Sequence, residues 1–428
     1  MTVRKETSMK LHLKNGRYLD VRSMTVKRGS VCTDNGVFSN VGGGPPEEEY
    51  DRIIDLKGNL IIPGLCNAHT HSPMVFLRSF AEDLPLNKWL TEAVFPHEAK
   101  LTPEDNYTLT KLAVAEYVSN GITSCFDMYY FPEAMARAFT ETGFRCTFCG
   151  ALNNFSESPE KLEEYYLKFN DYDPLISYKL GFHAEYTTSL ELMKAVSELA
   201  NKYKAPVWCH NSETKSEVED CISRYGKTPT GIMDSIGMFD FGGGGYHCIY
   251  LTPEDYDIFA RHNMTVVTNP CSNLKLASGI ADVTEVCGRG INLAIGTDGA
   301  ASNNALDMFR EMYLCSVLQK LKSNDAAAMP AENVLRAATL GGADAMGINS
   351  GVIEAGKNAD FAVIDMSAPN MQPENDIVKN LVYSGSGANV ILTAVNGNIL
   401  YEKGEFFIGE DMDGLYGSVR KICERIFS

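Results

Sequence analysis

Along the first sixty residues, apolar and polar positions alternate in short runs broken by turn residues, as in KLHLKNGRYLDV, GSVCTDNGVFSNVGG and RIIDLKGNLIIPG. Period-two alternation interrupted by Asn-Gly and glycine clusters predicts β-hairpins. The same texture returns in GVIEAGKNADFAVIDM and NVILTAVNGNILYEKGEF near the end. Two β-rich ends around a long middle predict a small composite β-sandwich built from residues 1–60 and 351–428, the second part ending in a terminal helix.

The middle, residues 61–350, has another rhythm. Short apolar runs (LIIPGLCNAHTH, GITSCFDMYY, FRCTFCGAL, YKLGFHAEY, APVWCHNSE, GYHCIYL, MTVVTNP, INLAIGTDG) alternate with helical patterns such as TPEDNYTLTKLAVAEYVSN and SLELMKAVSELANKY. Eight such units predict an α/β fold, a closed (β/α)8 TIM barrel. Thr-Pro-Glu-Asp at 102–105 and 252–255 reads as a helix start: Thr caps, Pro sits in the first turn, and the acids meet the positive dipole end.

Composition narrows the partners. The chain has 428 residues, 44% of them hydrophobic and 22% charged, with a net charge of -17. That balance fits a globular enzyme and disfavours nucleic acid, because no basic face offsets phosphate repulsion. The N-terminal stretch lacks the apolar core of a signal peptide, and no apolar run is long enough for a membrane span. The twelve cysteines are scattered through apolar segments. Cys146 and Cys149 have CxxC spacing, but the pair lies in a strand-like run without a partner CxxC, so buried thiols in a reducing cytoplasm are expected.

Polar residues then mark one end of the barrel. The first strand ends in His69 and His71, the fourth in His183, and the fifth in His210 followed by Glu213; the sixth carries His247 and the eighth Asp298. Five of the eight histidines thus fall at strand ends, where active sites of this fold lie. Alone, His-x-His could be two satisfied polar residues, and Asp298 a turn aspartate. Together, neutral imidazoles and a carboxylate suit Zn²⁺, with Fe²⁺ the alternative. A catalytic centre keeps one position open for water.

PGLCNAHTHSPM, LPLNKWL, HNSET, SNLKLASGIADV and GTDGAASNNALDM resemble the amidohydrolase superfamily, and within it the S-adenosylhomocysteine/5′-methylthioadenosine deaminase branch. The resemblance covers essentially the whole chain. It implies that His69, His71, His210 and Asp298 bind one divalent cation, and only one, because His183 stands where a bridging carboxylated lysine would be needed. It further implies hydrolytic release of ammonia from an aminated purine nucleoside. Glu213, His247 and Asp298 would be catalytic, with Glu213 delivering a proton to the ring and Asp298 one to the departing amine. His183 and Glu213 would contact the purine, and Glu98 the ribose hydroxyls. A homodimer is the assembly the family suggests.

Two departures matter. Glu185 stands where relatives commonly carry proline. Cys149-Gly150-Ala151 occupies the end of strand three, where related S-adenosylhomocysteine deaminases place an arginine for the amino-acid carboxylate. Losing a bidentate guanidinium favours adenosine, 5′-methylthioadenosine or 5′-deoxyadenosine over S-adenosylhomocysteine.

Other readings compete. A cytidine-deaminase-type zinc site needs H-x-E and P-C-x-x-C; His183-Ala184-Glu185 and Pro270-Cys271 imitate it, but Leu274 replaces the last ligand. The same metal chemistry would serve guanine, a pterin, a cytosine-like ring or a triazine. A catalytically inactive scaffold would have lost ligands that this chain retains. Finally, FGGGGYHCIY lacks the Lys-Ser/Thr of a P-loop and is expected to be a mobile connection before strand six.

Overall fold

The computed structural model describes residues 8–80, 82–84 and 88–428. Residues 1–7 of the N-terminal stretch and 85–87 of LPLNKWL lie outside the described residues. Eight parallel strands follow one another in chain order: β1 (Leu65–Thr70), β2 (Ile122–Asp127), β3 (Arg145–Cys149), β4 (Ile176–Ala184), β5 (Val207–Asn211), β6 (Gly243–His247), β7 (Thr265–Thr268) and β8 (Asn292–Ile295). Their near-continuous burial is what strands covered on both faces require. The seam between β8 and β1 is bridged by polar contacts. Asn67 donates to Thr297 Oγ1 (2.7 Å) and accepts from the Thr297 amide (2.8 Å), and the Asp298 amide donates to the His69 carbonyl (2.9 Å). The expected (β/α)8 barrel is present.

Helices cover the outside. Both Thr-Pro-Glu-Asp stretches open helices, Pro103–Ser119 and Pro253–Arg261. The hydroxyls of Thr102 and Thr252 accept from the amides of Asp105 and Asp255, and the threonine amides donate in return to those carboxylates. Each cap is worth about 1 kcal/mol. Inside the barrel, Phe126, Trp208, Tyr246, Val267 and Ala294 pack into an apolar floor. Cys146 and Cys149 are buried free thiols, as expected, and burial pushes Cys149 up to about 12.

The sandwich has two sheets. One is N-terminal, with strands in the order Val37–Val41, Val31–Asp34, Leu11–Lys14, Arg52–Asp55. The other has seven strands from both ends of the chain, joined where Leu60–Pro63 pairs with Arg17–Asp20 on one side and Phe361–Ile364 on the other. Leu11, Leu13, Val31 and Phe38 meet Ile61, Phe361, Val363 and Leu392 between the sheets. No helix among the described residues is long and apolar enough to cross a membrane.

Two local expectations change. The run LIIPGLCNAHTH is two strands: Leu60–Pro63 belongs to the sandwich and β1 to the barrel, with the chain changing sheets at Gly64. A Cβ on Gly64 would stand 1.9 Å from Thr123 Oγ1, so only glycine fits that passage. The glycine run is likewise no mobile connection. Gly243, Gly244 and Gly245 are buried, paired residues of β6. A Cβ on Gly244 would lie 2.1 Å from the Trp208 ring and 2.6 Å from the Thr265 carbonyl. Close backbone packing selected these glycines. Gly244→Ala is therefore expected to cost about 2 kcal/mol or more, seen as a lowered Tm. Gly288→Ala, on a helix with nothing within 4 Å, should be neutral or stabilising.

Candidate active site

β1 ends in alternation: His69 and His71 turn inward, whereas Thr70 turns outward to the Tyr117 hydroxyl (2.9 Å) and the Asp298 carbonyl (3.1 Å). Three rings are aimed through Nδ1. His71 donates to the Met128 carbonyl (2.5 Å), His210 to the His183 carbonyl (2.7 Å) and His247 to Asn273 Oδ1 (2.8 Å). Each bond turns the ring's Nε2 towards the centre; burial opposes a charge on His71, but the hydrogen bond to Asp298 prevails and raises that imidazole to about 9. His69 is held by stacking on Tyr246, centroids 3.9 Å apart, and neither of its buried ring nitrogens has a hydrogen-bond partner.

Asp298 completes the cluster. Its Oδ1 lies 3.2 Å from His71 Nε2 and 3.7 Å from His69 Nε2. The Gly299 amide donates to Oδ1 (2.7 Å), and the hydroxyls of Ser272 (2.5 Å) and Ser302 (3.1 Å) donate to Oδ2. Burial opposes ionisation of Asp298, yet the His71 imidazole beside it holds its carboxyl well below the usual range. The ligand atoms of His69, His71 and His210, and those of His69, His247 and Asp298, lie within 4.8 Å of one another. Metal–nitrogen bonds of about 2.1 Å place ligand atoms roughly 3.4 to 4.2 Å apart. An orphaned buried imidazole costs about 1–3 kcal/mol per unmade bond, which a cation at this centre would offset. The donor set fits a divalent metal ion.

The cluster opens into a cleft whose walls include Trp89, Tyr129, Tyr130 and Tyr186. All the residues expected at the site reach it, except that His69 lies beneath, behind His71 and His210. Glu213 is buried, 3.9 Å from His247 Nε2, and accepts from Ser278 Oγ (3.1 Å); burial raises its carboxyl above the ordinary value. Glu98 is also buried and raised, and accepts from the Tyr129 hydroxyl (2.6 Å). His183 Nδ1 lies 2.9 Å from Thr187 Oγ1, whose hydroxyl donates to the Ala184 carbonyl, so His183 turns an acceptor Nε2 away from that pair. Burial pushes this imidazole down to about 4 and keeps it neutral.

At the first departure, Glu185 is buried and takes both carboxylate bonds from Arg224, at 2.6 and 2.8 Å, in a short turn that leads into Tyr186. At the second, Cys149 packs into the floor and Ala151 lines the cleft. Among the described residues, no lysine or arginine lines it. Sequence reasoning assigned no roles to Ser272, Asn273, Ser278, Ser302 and Tyr129, which hold Asp298, His247, Glu213 and Glu98. The first three lie in SNLKLASG, so the motif was visible while the bonds were not.

Comparison with known proteins places these features in context. The model of the amidohydrolase family matches residues 60–400. A Pyrococcus furiosus protein named 5-methylthioadenosine/S-adenosylhomocysteine deaminase is 41% identical over 404 residues, covering 92% of this chain and 96% of its own. A 5′-deoxyadenosine deaminase of Methanothermobacter thermautotrophicus is 37% identical, covering 90% and 92%. The crystal structure of an adenosine deaminase from Xanthomonas campestris with bound zinc superposes at TM-score 0.92 with 33% identity, over 98% of both chains.

Removal of divalent metal with a chelator is expected to lower Tm, and readdition to restore it. Free metal at a hundred-fold above Kd adds about 2.7 kcal/mol. His69→Ala should abolish that metal-dependent increment; an unchanged increment would mean that His69 is not part of a metal centre.

Proposed function

The chain belongs to the amidohydrolase family, and we propose that it is a metal-dependent hydrolytic deaminase of adenosine-type nucleosides without a charged 5′ extension. Adenosine, 5′-methylthioadenosine and 5′-deoxyadenosine are the substrates of choice, and ammonia and the inosine-type nucleoside are the products. The observation that carries this reading is the convergence of four imidazoles and Asp298 beneath an aromatic cleft that also displays Glu98 and Glu213.

On this reading His69, His71, His210 and Asp298 hold one divalent cation, for which Zn²⁺ suits the donor set. When bound, such an ion supplies the Lewis acidity that brings the pKa of water towards neutrality. Glu213, whose carboxyl burial raises above its ordinary value, donates to the ring nitrogen next to the amine-bearing carbon. Asp298, ionised in its bed of three donors, accepts one proton from the attacking water and passes it to the departing amine, and the water's second proton returns to Glu213 as the ring carbonyl forms. His247, oriented by Asn273, presents Nε2 as an acceptor that orients that water. His183 contacts the purine, and the Glu98 oxygen not taken by Tyr129 accepts from ribose hydroxyls. The absence of a cationic side chain from the described cleft lining disfavours the amino-acid carboxylate of S-adenosylhomocysteine.

Spectrophotometric assay should show deamination of the three uncharged nucleosides, with S-adenosylhomocysteine at least about ten-fold lower in kcat/KM, the worth of one lost charge-assisted bond. Guanine as the sole substrate would overturn the proposal. Glu98→Ala should raise KM for nucleosides by about ten-fold or more and leave free adenine unaffected; equal effects would count against a ribose contact. Ser278→Ala removes a bond that favours the Glu213 carboxylate and lowers its pKa. Glu213 should then stay protonated to higher pH, and the alkaline limb of kcat/KM should move upward. A limb that stays in place or moves downward would remove Glu213 from the proton-donor role.

A further inference from the structure

The segment that presents Glu98 to the cleft is built from short, irregular turns. Trp89–Val94 forms a π-helical turn, followed by Phe95–Glu98. Such a turn has little intrinsic stability and marks functional positions. What keeps it in place comes from the far end of the chain. The C-terminal helix, Met412–Phe427, runs against the helix Pro103–Ser119, and its last turn meets both flanks of this segment.

The Phe427 ring stacks on Phe80, centroids 4.2 Å apart and planes at 17°, and lies 5.4 Å from His97, the residue before Glu98. Phe80 meets His97 edge-on at 4.7 Å, so the three rings form one closed cluster. On the other side of Glu98, Lys100 donates through Nζ to the Ile426 carbonyl, and Arg425 donates to the Lys100 carbonyl at 3.0 Å. Arg425 also donates to Asp105 Oδ2 (2.5 Å), at the start of the following helix. Ile426 is fully buried between these contacts. None of Phe80, His97, Lys100, Arg425 and Phe427 lines the cleft. They reach the substrate through the backbone on either side of Glu98, and Phe427 also stacks on Phe76 (centroids 6.2 Å) in the turn Ser72–Leu77, whereas Arg425 makes its contacts at Lys100 and Asp105.

We propose that the last turn of the C-terminal helix is a clamp on the Glu98 segment, with Phe427 and Arg425 as positioning residues for binding of the ribose half of the substrate. The proposal rests on the reading of Glu98 as a ribose contact. Neither residue touches the converging imidazoles, so chemistry at the purine should be spared.

The test is made on the full-length, metal-loaded protein. Phe427→Ala should raise KM for 5′-methylthioadenosine about five-fold, the worth of an aromatic pair, with kcat changed less than about two-fold and KM for free adenine unmoved. Phe427→Tyr, which keeps the stacking face, should restore the native values. Arg425→Gln, which keeps the ring cluster and breaks the guanidinium links, should give the same split. Hydrogen exchange of amides 88–100, measured without substrate, should quicken in Phe427→Ala and return to native rates in Phe427→Tyr. Unchanged exchange in both Phe427→Ala and Arg425→Gln would overturn the clamp. So would equal rises in KM for adenine and nucleoside. Faster exchange with no KM effect, together with a silent Glu98→Ala, would leave the clamp standing and refute the ribose contact instead.

Discussion

The hydrogen bond from the Asp298 amide to the His69 carbonyl is where fold and site become one thing. It bridges the last barrel strand to the first, and it sets the Asp298 carboxylate beside the His69 and His71 rings. The other donors depend on the same parallel register. His71 is aimed by a carbonyl beyond β2, His210 by one in β4, and His247 by an amide beyond β7. A one-residue slip of any strand would turn its ring to the other face of the sheet. The apolar floor of Phe126, Trp208 and Tyr246 resists such slips, because bulky rings in a filled interior have one arrangement.

The acids of the site divide by environment. Asp298 has three donors and an imidazole beside it, and stays ionised against burial. Glu213 has one hydroxyl donor, and burial prevails. Two carboxyl groups at one cleft are thereby shifted in opposite directions, the pattern that separates acid and base roles. The backbone reflects the demand: His247 and Asp298 both sit at positive φ, 66° and 61°. Such conformations cost about 1–3 kcal/mol each and persist where surrounding bonds over-determine them. Asn273, Ser272 and Ser302 supply those bonds here.

Most of the fold was legible because its causes are local. Eight buried apolar runs, two Thr-capped helix starts and the hairpins at both ends each announce themselves within a few residues. The His-x-His pair, His210, His247 and Asp298 were legible because strand period and fold put strand ends on one rim. What escaped depends on contacts across the chain. The split of residues 60–71 at Gly64 is set by Thr123, and the ordering of the glycine run by Trp208 and Thr265. Ser278 supports Glu213 across a separation of 65 residues. Tyr129 bonds Glu98 from β2's loop, and no pattern around either residue signals the pair. Glycine in particular looks alike in a loop and in a crowded strand; only the neighbour's volume tells them apart.

Selectivity on the proposed reading follows from what the cleft lacks. Its described acidic lining is Asp298, Glu98 and Glu213, among imidazoles and tyrosines, under a net charge of -17. A ligand carboxylate entering it would give up water without gaining a guanidinium or ammonium, at a cost of several kcal/mol. An uncharged 5′ group gives up little and gains contact with aromatic walls. The buried Glu98 carboxylate favours the same ligands from the other side. With one oxygen taken by Tyr129, its remaining acceptor capacity is satisfied by hydroxyl donors. Discrimination therefore comes from a missing cation: nothing in the described lining offers the charge-assisted bond that an arginine at the end of β3 would make.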